Sequence, residues 1–189
     1  MKQLLDTELM FRVRQGDESA FSEVYRRHYR KVLNFFHGLS RDPILAEELC
    51  LETFARIWQL RPRYAATGPF PAYLFSVARN IWLEKCRSFK AQGRLGVPIS
   101  LDGMDVELPA PVDCRPDEAA ERSELETRLI RAIQELPDDQ RMVIIMRMVE
   151  RMSIEEIATV MQCPVNTVRS RRLLGLRKLR EILRGVLLV

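Results

Sequence analysis

Residues 153–172 read SIEEIATVMQCPVNTVRSRR, and the punctuation of that stretch decides the fold. Ser153 and Glu156 stand in the S-x-x-E relation of a capping box, so a helix starts at Ile154. Ile154, Ile157, Ala158 and Met161 give it one apolar face. Gln162 and Cys163 make a short turn, and Pro164 opens the next helix, where its ring is tolerated. An apolar-faced helix, a tight turn and a second helix that starts with polar residues form a helix-turn-helix. In that motif the N-terminal turns of the second helix enter the major groove of DNA. Asn166, Thr167, Arg169, Ser170, Arg171 and Arg172 are then the candidate contacts to base edges and phosphates. One guanidinium paired with guanine is worth ~1–3 kcal/mol of discrimination. Val165 and Val168 face inward; Arg172 shares the inner stripe with Val168, Leu176 and Leu179, burying its stem and extending its head. Gln162 stands where such a turn usually holds Gly, and a left-handed conformation there costs about 1 kcal/mol. The competing reading is a solvated helix in some other all-α protein.

Around this stretch the chain is helical and globular in composition. Of 189 residues, 47% are hydrophobic, 30% charged and only 8 are Gly, which argues against a large sheet. No apolar run approaches the ~20 residues that span a bilayer. The charged N-terminus lacks a signal-peptide core. A soluble, cytoplasmic protein is expected. Cys50, Cys86, Cys114 and Cys163 are scattered, with His28 and His37 near none of them, so free thiols are expected and neither metal nor cofactor.

The net charge of +4 hides an alternation. Residues 1–90 carry 15 Lys/Arg against 10 Asp/Glu, residues 91–126 carry 3 against 9, and residues 127–189 carry 12 against 7. The acidic stretch lacks a helical apolar period before Ala119 and reads as an extended linker. It is either a solvated spacer or an acidic strand for a basic channel of a partner. The chain is therefore expected to be all-α: two small helical domains, 1–92 and 123–189, joined by an acidic linker over 93–122.

In the first block, residues 18–39 place Phe21, Val24, Tyr25, His28, Val32 and Phe35/Phe36 on one stripe. Asp42 caps and Pro43 opens a second helix, with Leu45, Leu49, Phe54, Ile57 and Trp58 apolar and Glu47, Glu48 and Glu52 on another face. After a loop at 61–70, a third helix mixes Tyr73, Phe75 and Trp82 with Arg79, Asn80, Lys85, Arg87 and Lys90. That mixture suits a core seam with a solvated edge, or a stacking platform for single-stranded nucleic acid. In the second block, Leu125, Leu129, Ile130, Ile133 and Leu136 form a stripe, and Asp138 or Asp139 caps the next helix. Met142, Met146, Met148 and Met152 read as core filler.

Residues 136–183, which include the opening stretch, resemble the promoter-recognition domain of bacterial sigma factors of the extracytoplasmic-function (ECF) group. Residues 43–58, PILAEELCLETFARIW, and 69–82, PFPAYLFSVARNIW, resemble helices of that group's first conserved domain. The resemblance implies a non-enzymatic initiation factor that binds core RNA polymerase and promoter DNA, takes no small-molecule substrate, and is commonly held by an anti-sigma factor. It implies that the helix-turn-helix reads the upstream promoter element. It assigns melting and reading of the downstream element to Arg63, Tyr64, Phe70, Tyr73, Arg79 and Asn80. It assigns polymerase docking to Glu47, Glu48, Leu49, Glu52, Phe54 and Trp58. It gives the linker a route through the polymerase channel. The chain departs from the family's pattern at Leu51, where Gln is frequent, and at Arg172, Leu174 and Leu176; Leu173 and Leu174 are expected to form a patch for a partner. A DNA-processing enzyme would need a nucleophile or metal-binding acids beyond Ser22, Tyr25 and the Glu47/Glu48/Glu52 set. A simple repressor would need a ligand pocket in the first block.

Overall fold

The structure, a computed structural model, describes residues 4–40, 42–93, 128–148 and 151–187, with side chains as far as Arg184. Among these there is no strand, as the all-α expectation requires. The acidic linker expected over 93–122 lies, from Arg94 on, outside the described residues, as do Cys114 and Leu125.

The N-terminal module holds four helices: α1 (Asp6–Arg14), α2 (Glu18–Ser40), α3 (Pro43–Leu60) and α4 (Phe70–Ala91), with a 3-10 turn at Arg61–Arg63. α1 is not foreseen in the sequence; it buries Leu9, Met10 and Val13. Gly16, at φ +91, turns the chain into α2, and Asp17 caps that helix by accepting from the Ala20 amide at 2.9 Å. α1 is also tied to α2 through Asp6, which meets His28 Nε2 at 2.7 Å and Arg27 at 2.9 Å. α3 starts where the sequence puts it: Asp42 accepts from the amides of Ile44 and Leu45, and Pro43 occupies the first turn. The core centres on the edge-to-face rings of Phe35, Phe36 and Phe75.

The C-terminal module holds α5 (128–134), α6 (Asp138–Met148), α7 (Ile154–Met161) and α8 (Val165–Leu187). Asp138 and Asp139 lie inside the first turn of α6; the Pro137 carbonyl takes the amides of Gln140 and Arg141. Met142, Met146 and Met152 are core, as expected, while Met148 is exposed. With eight residues, α7 is too short to stand alone and depends on burying Ile157, Ala158, Val160 and Met161.

α6 is packed closely on two sides. A Cβ on Gly175 of α8 would stand 3.0 Å from Ile144 Cγ1, and one on Gly38 of α2 would stand 2.6 Å from Ile145 Cδ1. The second approach joins the two modules. Along the same seam, Arg141 Nη1 donates to the Leu39 carbonyl at 3.0 Å, satisfying an end carbonyl of α2.

Candidate nucleic-acid interface

The helical corner is built as its sequence dictates. Ser153 Oγ accepts from the Glu156 amide at 3.1 Å, and Glu156 Oε2 accepts from the Ser153 amide at 2.7 Å. Gln162 takes the left-handed conformation, φ 52 and ψ 44, that the turn demands. The Pro164 carbonyl then takes the amides of Thr167 and Val168 and launches α8.

Six candidate contacts on α8 separate into three groups. Asn166, Arg169 and Ser170 stand exposed together on the outward face, where Arg169 Nη1 donates to Asn166 Oδ1 at 3.3 Å. Thr167 and Arg171 are half-buried on one flank. Arg171 is held there, by a short ion pair with Asp139 and by Cys163 Sγ at 3.6 Å. Arg172 departs from expectation, being exposed rather than part of the inner stripe. The contact line of α8 runs Val168, Gly175, Leu179, and the close approach at Gly175 leaves Arg172 beside it. There it lines an open groove with Arg147, Arg151, Met148 and Leu176, away from the outward group. Leu173 and Leu174 are exposed, as a partner patch requires.

The downstream set is divided by burial. Tyr64, 3% exposed, and Phe70, 1% exposed, are corrected from surface to core. Phe70 meets the ring of His28 at 5.1 Å, and Tyr64 meets Tyr73 at 5.1 Å, so these rings close the end of the helical bundle. Arg63 and residues 65–69 are exposed, Tyr73 and Arg79 half-buried, and Asn80 exposed. Tyr73, Ser76 and Asn80 follow a helical i, i+3, i+7 spacing and share one face of α4; Arg79 lies off it.

The docking set on α3 also divides. Leu49, at 0% exposed, and Phe54 point into the core. Trp58 is half-buried, its ring 5.0 Å from Phe21 and under the Arg61 guanidinium at 4.1 Å. Glu47 and Glu48 are exposed, and Glu48 pairs with Lys85 at 3.0 Å. Glu52 pairs with Arg56, which also reaches Glu84. The sequence reading missed Ile44, 72% exposed, and named Leu51, 57% exposed, only as a departure from the family's pattern, yet both are apolar members of this face. Ile44, Glu47, Glu48 and Leu51 run at i, i+3, i+4, i+7, and that spacing was the signal available.

Burial also sets the thiols and imidazoles. It pushes Cys50 up to about 12, and with Asp138 nearby it pushes Cys86 up to about 11. It pulls His28 down against the opposing pull of Asp6, and His37 down against Glu47 and Asp42. His28 is then neutral, its Nε2–H donating to Asp6.

Two family models match the chain: sigma-70 region 2 over residues 24–92 and sigma-70, region 4 over residues 126–179. The chain is 32% identical over 171 residues to the RNA polymerase sigma-H factor of Pseudomonas aeruginosa, covering 88% of this chain and 87% of that one. It is 30% identical over 177 residues to the ECF RNA polymerase sigma-E factor of Escherichia coli, covering 90% of each. Among solved structures it superimposes on the sigma factor RpoE of Bartonella quintana, solved with the anti-sigma factor NepR. The TM-score there is 0.70 at 23% identity, over 87% of this chain and 96% of that one. It also superimposes on CnrH, solved with the cytosolic domain of CnrY, with a TM-score of 0.69 at 19% identity over 95% and 97% of the two chains. The two modules, in this order and over this length, place the chain in the sigma-70 family, as an extracytoplasmic-function sigma factor that directs core RNA polymerase to promoters.

Proposed function

We propose that the chain divides its labour among three faces. The outward start of α8 reads the upstream element, with Asn166, Arg169 and Ser170 at base edges and Thr167 and Arg171 toward phosphates. Loop 63–69 and the Tyr73–Asn80 face of α4 hold the separated downstream strand, with Arg63 and Arg79 at its phosphates. The exposed face of α3, Ile44, Glu47, Glu48 and Leu51, docks on polymerase: apolar atoms supply burial and carboxylates set the register. The boundaries 1–92, 93–122 and 123–189 fit this division, with the acidic linker passing through the polymerase channel. The protein works in the cytoplasm and catalyses no reaction, and an anti-sigma factor holds it, as NepR binds the RpoE of Bartonella quintana.

The observation that carries the reading is the exposed trio Asn166, Arg169, Ser170 at the start of a capped helical corner. Footprinting of the chain with core polymerase on a cognate promoter tests it. Two protected patches are expected, with Arg169→Ala weakening the upstream one and Asn80→Ala the downstream one. Equal loss at both patches from either variant contradicts the assignment.

A further inference from the structure

Residues 65–69 are exposed and hang between two buried rings, Tyr64 at their start and Phe70 at their end. Side-chain hydrogen bonds place neither post. Pro69 stands at the cap position of α4, which has no side-chain cap, and the Tyr64 hydroxyl is buried without a partner. What places them is ring against ring. Tyr64 and Phe70 meet at 6.5 Å, and Phe70 meets His28 at 5.1 Å with 66° between the planes. That tilt is the edge-to-face arrangement that aromatic pairs prefer.

The position of the loop therefore passes down to His28, which is an odd choice for a buried seat. It is 4% exposed, and its Nδ1 has no partner. An unpaired buried nitrogen destabilises the core where an apolar ring of similar shape would not. What the imidazole supplies instead is orientation. Asp6 Oδ2 takes the Nε2–H at 2.7 Å, and a ring bonded at one nitrogen keeps one plane. The bond is not needed to hold α1. That helix buries Leu9, Met10 and Val13, and Arg27 reaches the Asp6 carboxylate at 2.9 Å and the Leu4 carbonyl at 2.7 Å.

We propose that Asp6 and His28 are positioning residues for strand capture: the carboxylate on α1 sets the imidazole, the imidazole seats Phe70, and Phe70 fixes the loop that holds the separated strand. Neither side chain touches the DNA. The proposal deepens the assignment of loop 63–69 and the α4 face to strand capture, and it rests on that assignment.

The test uses the full chain with core polymerase. The probes are a fluorescent single strand carrying the downstream element and the same strand made abasic over that element. Asp6→Ala frees the imidazole. Its affinity for the intact strand is expected to fall about tenfold, the order of one stacked base, and for the abasic strand by less than about twofold. His28→Gln keeps a donor for Asp6 but removes the ring from Phe70, and the same selective loss is expected. Arg27→Gln loosens α1 and leaves the bond between Asp6 and His28 in place. It should bind both strands within about twofold of the wild type. Polymerase affinity is measured for every chain and should match the wild type, since none of the three residues belongs to the α3 face. His28→Gln carries the test alone if Asp6→Ala does not bind polymerase; if neither binds it, the pair is structural and the proposal falls. Equal loss on both strands, or undiminished binding of the intact strand, also overturns it. So does an Arg27→Gln chain that behaves as Asp6→Ala does, because the effect then belongs to the attachment of α1. If the wild type binds the intact and abasic strands equally, the strand-capture assignment itself fails and takes the positioning role with it.

Discussion

Neighbouring residues on α3 are expected to fail in opposite ways. Glu48 and Leu49 are adjacent in sequence, yet Glu48 is exposed and Leu49 fully buried. Leu49→Ala leaves a cavity in the N-terminal core and costs about 2–5 kcal/mol. For a chain of this size that lowers Tm by about 4–20 °C. Glu48→Lys gives up only an exposed pair with Lys85, worth at most ~1 kcal/mol, and puts two like charges together at a further few tenths. Its Tm should fall by no more than about 5 °C. The docking assignment puts a surface complementary to a carboxylate opposite Glu48, so the reversed charge should lower polymerase affinity at least tenfold, about 1.4 kcal/mol. Thermal unfolding followed by circular dichroism, and competition binding to core polymerase at fixed salt, separate the two. Normal polymerase affinity in folded Glu48→Lys refutes the docking face. So does a Leu49→Ala chain with unchanged Tm and lost affinity, since that would put Leu49 at the interface.

Two further predictions concern stability. Gln162→Gly removes a side chain from a left-handed backbone and should stabilise the chain by about 1 kcal/mol, read as a higher denaturant midpoint with unchanged slope; a lower midpoint contradicts strain at the turn. His28 and His37 are both held below their ordinary value of 6.5 by burial, so the unfolded chain takes up protons first as pH falls. Their contribution to stability is present above pH 6.5 and lost as pH falls below it, with a slope of at most about 1.4 kcal/mol per pH unit per histidine. Denaturant unfolding between pH 7.5 and 5.5 should show that loss, and His28→Gln should flatten it; an unchanged slope in that variant contradicts the neutral buried imidazole.

The caps of α3 and α7 were legible because they are local chemistry, whereas Asp138 and Asp139, expected to cap α6, lie inside its first turn. Asp42, Pro43, Ser153 and Glu156 act within one helical turn, and each does what its spacing announces. The strained Gln162 was legible for the same reason. Direction within a helix was harder. Leu49 and Phe54 belong to the apolar stripe of α3, and a resemblance to a docking segment does not say which side of it touches the partner. Arg172 was misplaced because hydrophobic periodicity does not count Gly175, the residue that sets where α8 meets α6. Tyr64 and Phe70 look like stacking rings in sequence but close the end of a small bundle, where large rings bury the most apolar area. The seam between modules was invisible, since Leu39 and Arg141 meet across 102 positions of chain.

Run-off transcription by the purified chain with core polymerase on a library randomised at both promoter elements tests the central claim most directly. Initiation should depend on the chain and select defined bases at two separated positions, with Arg169→Ala relaxing selection at the upstream one by about 1–3 kcal/mol at a single base pair. Initiation that is equally frequent on all sequences, or selection that Arg169→Ala leaves intact, contradicts a promoter-reading helix at the start of α8.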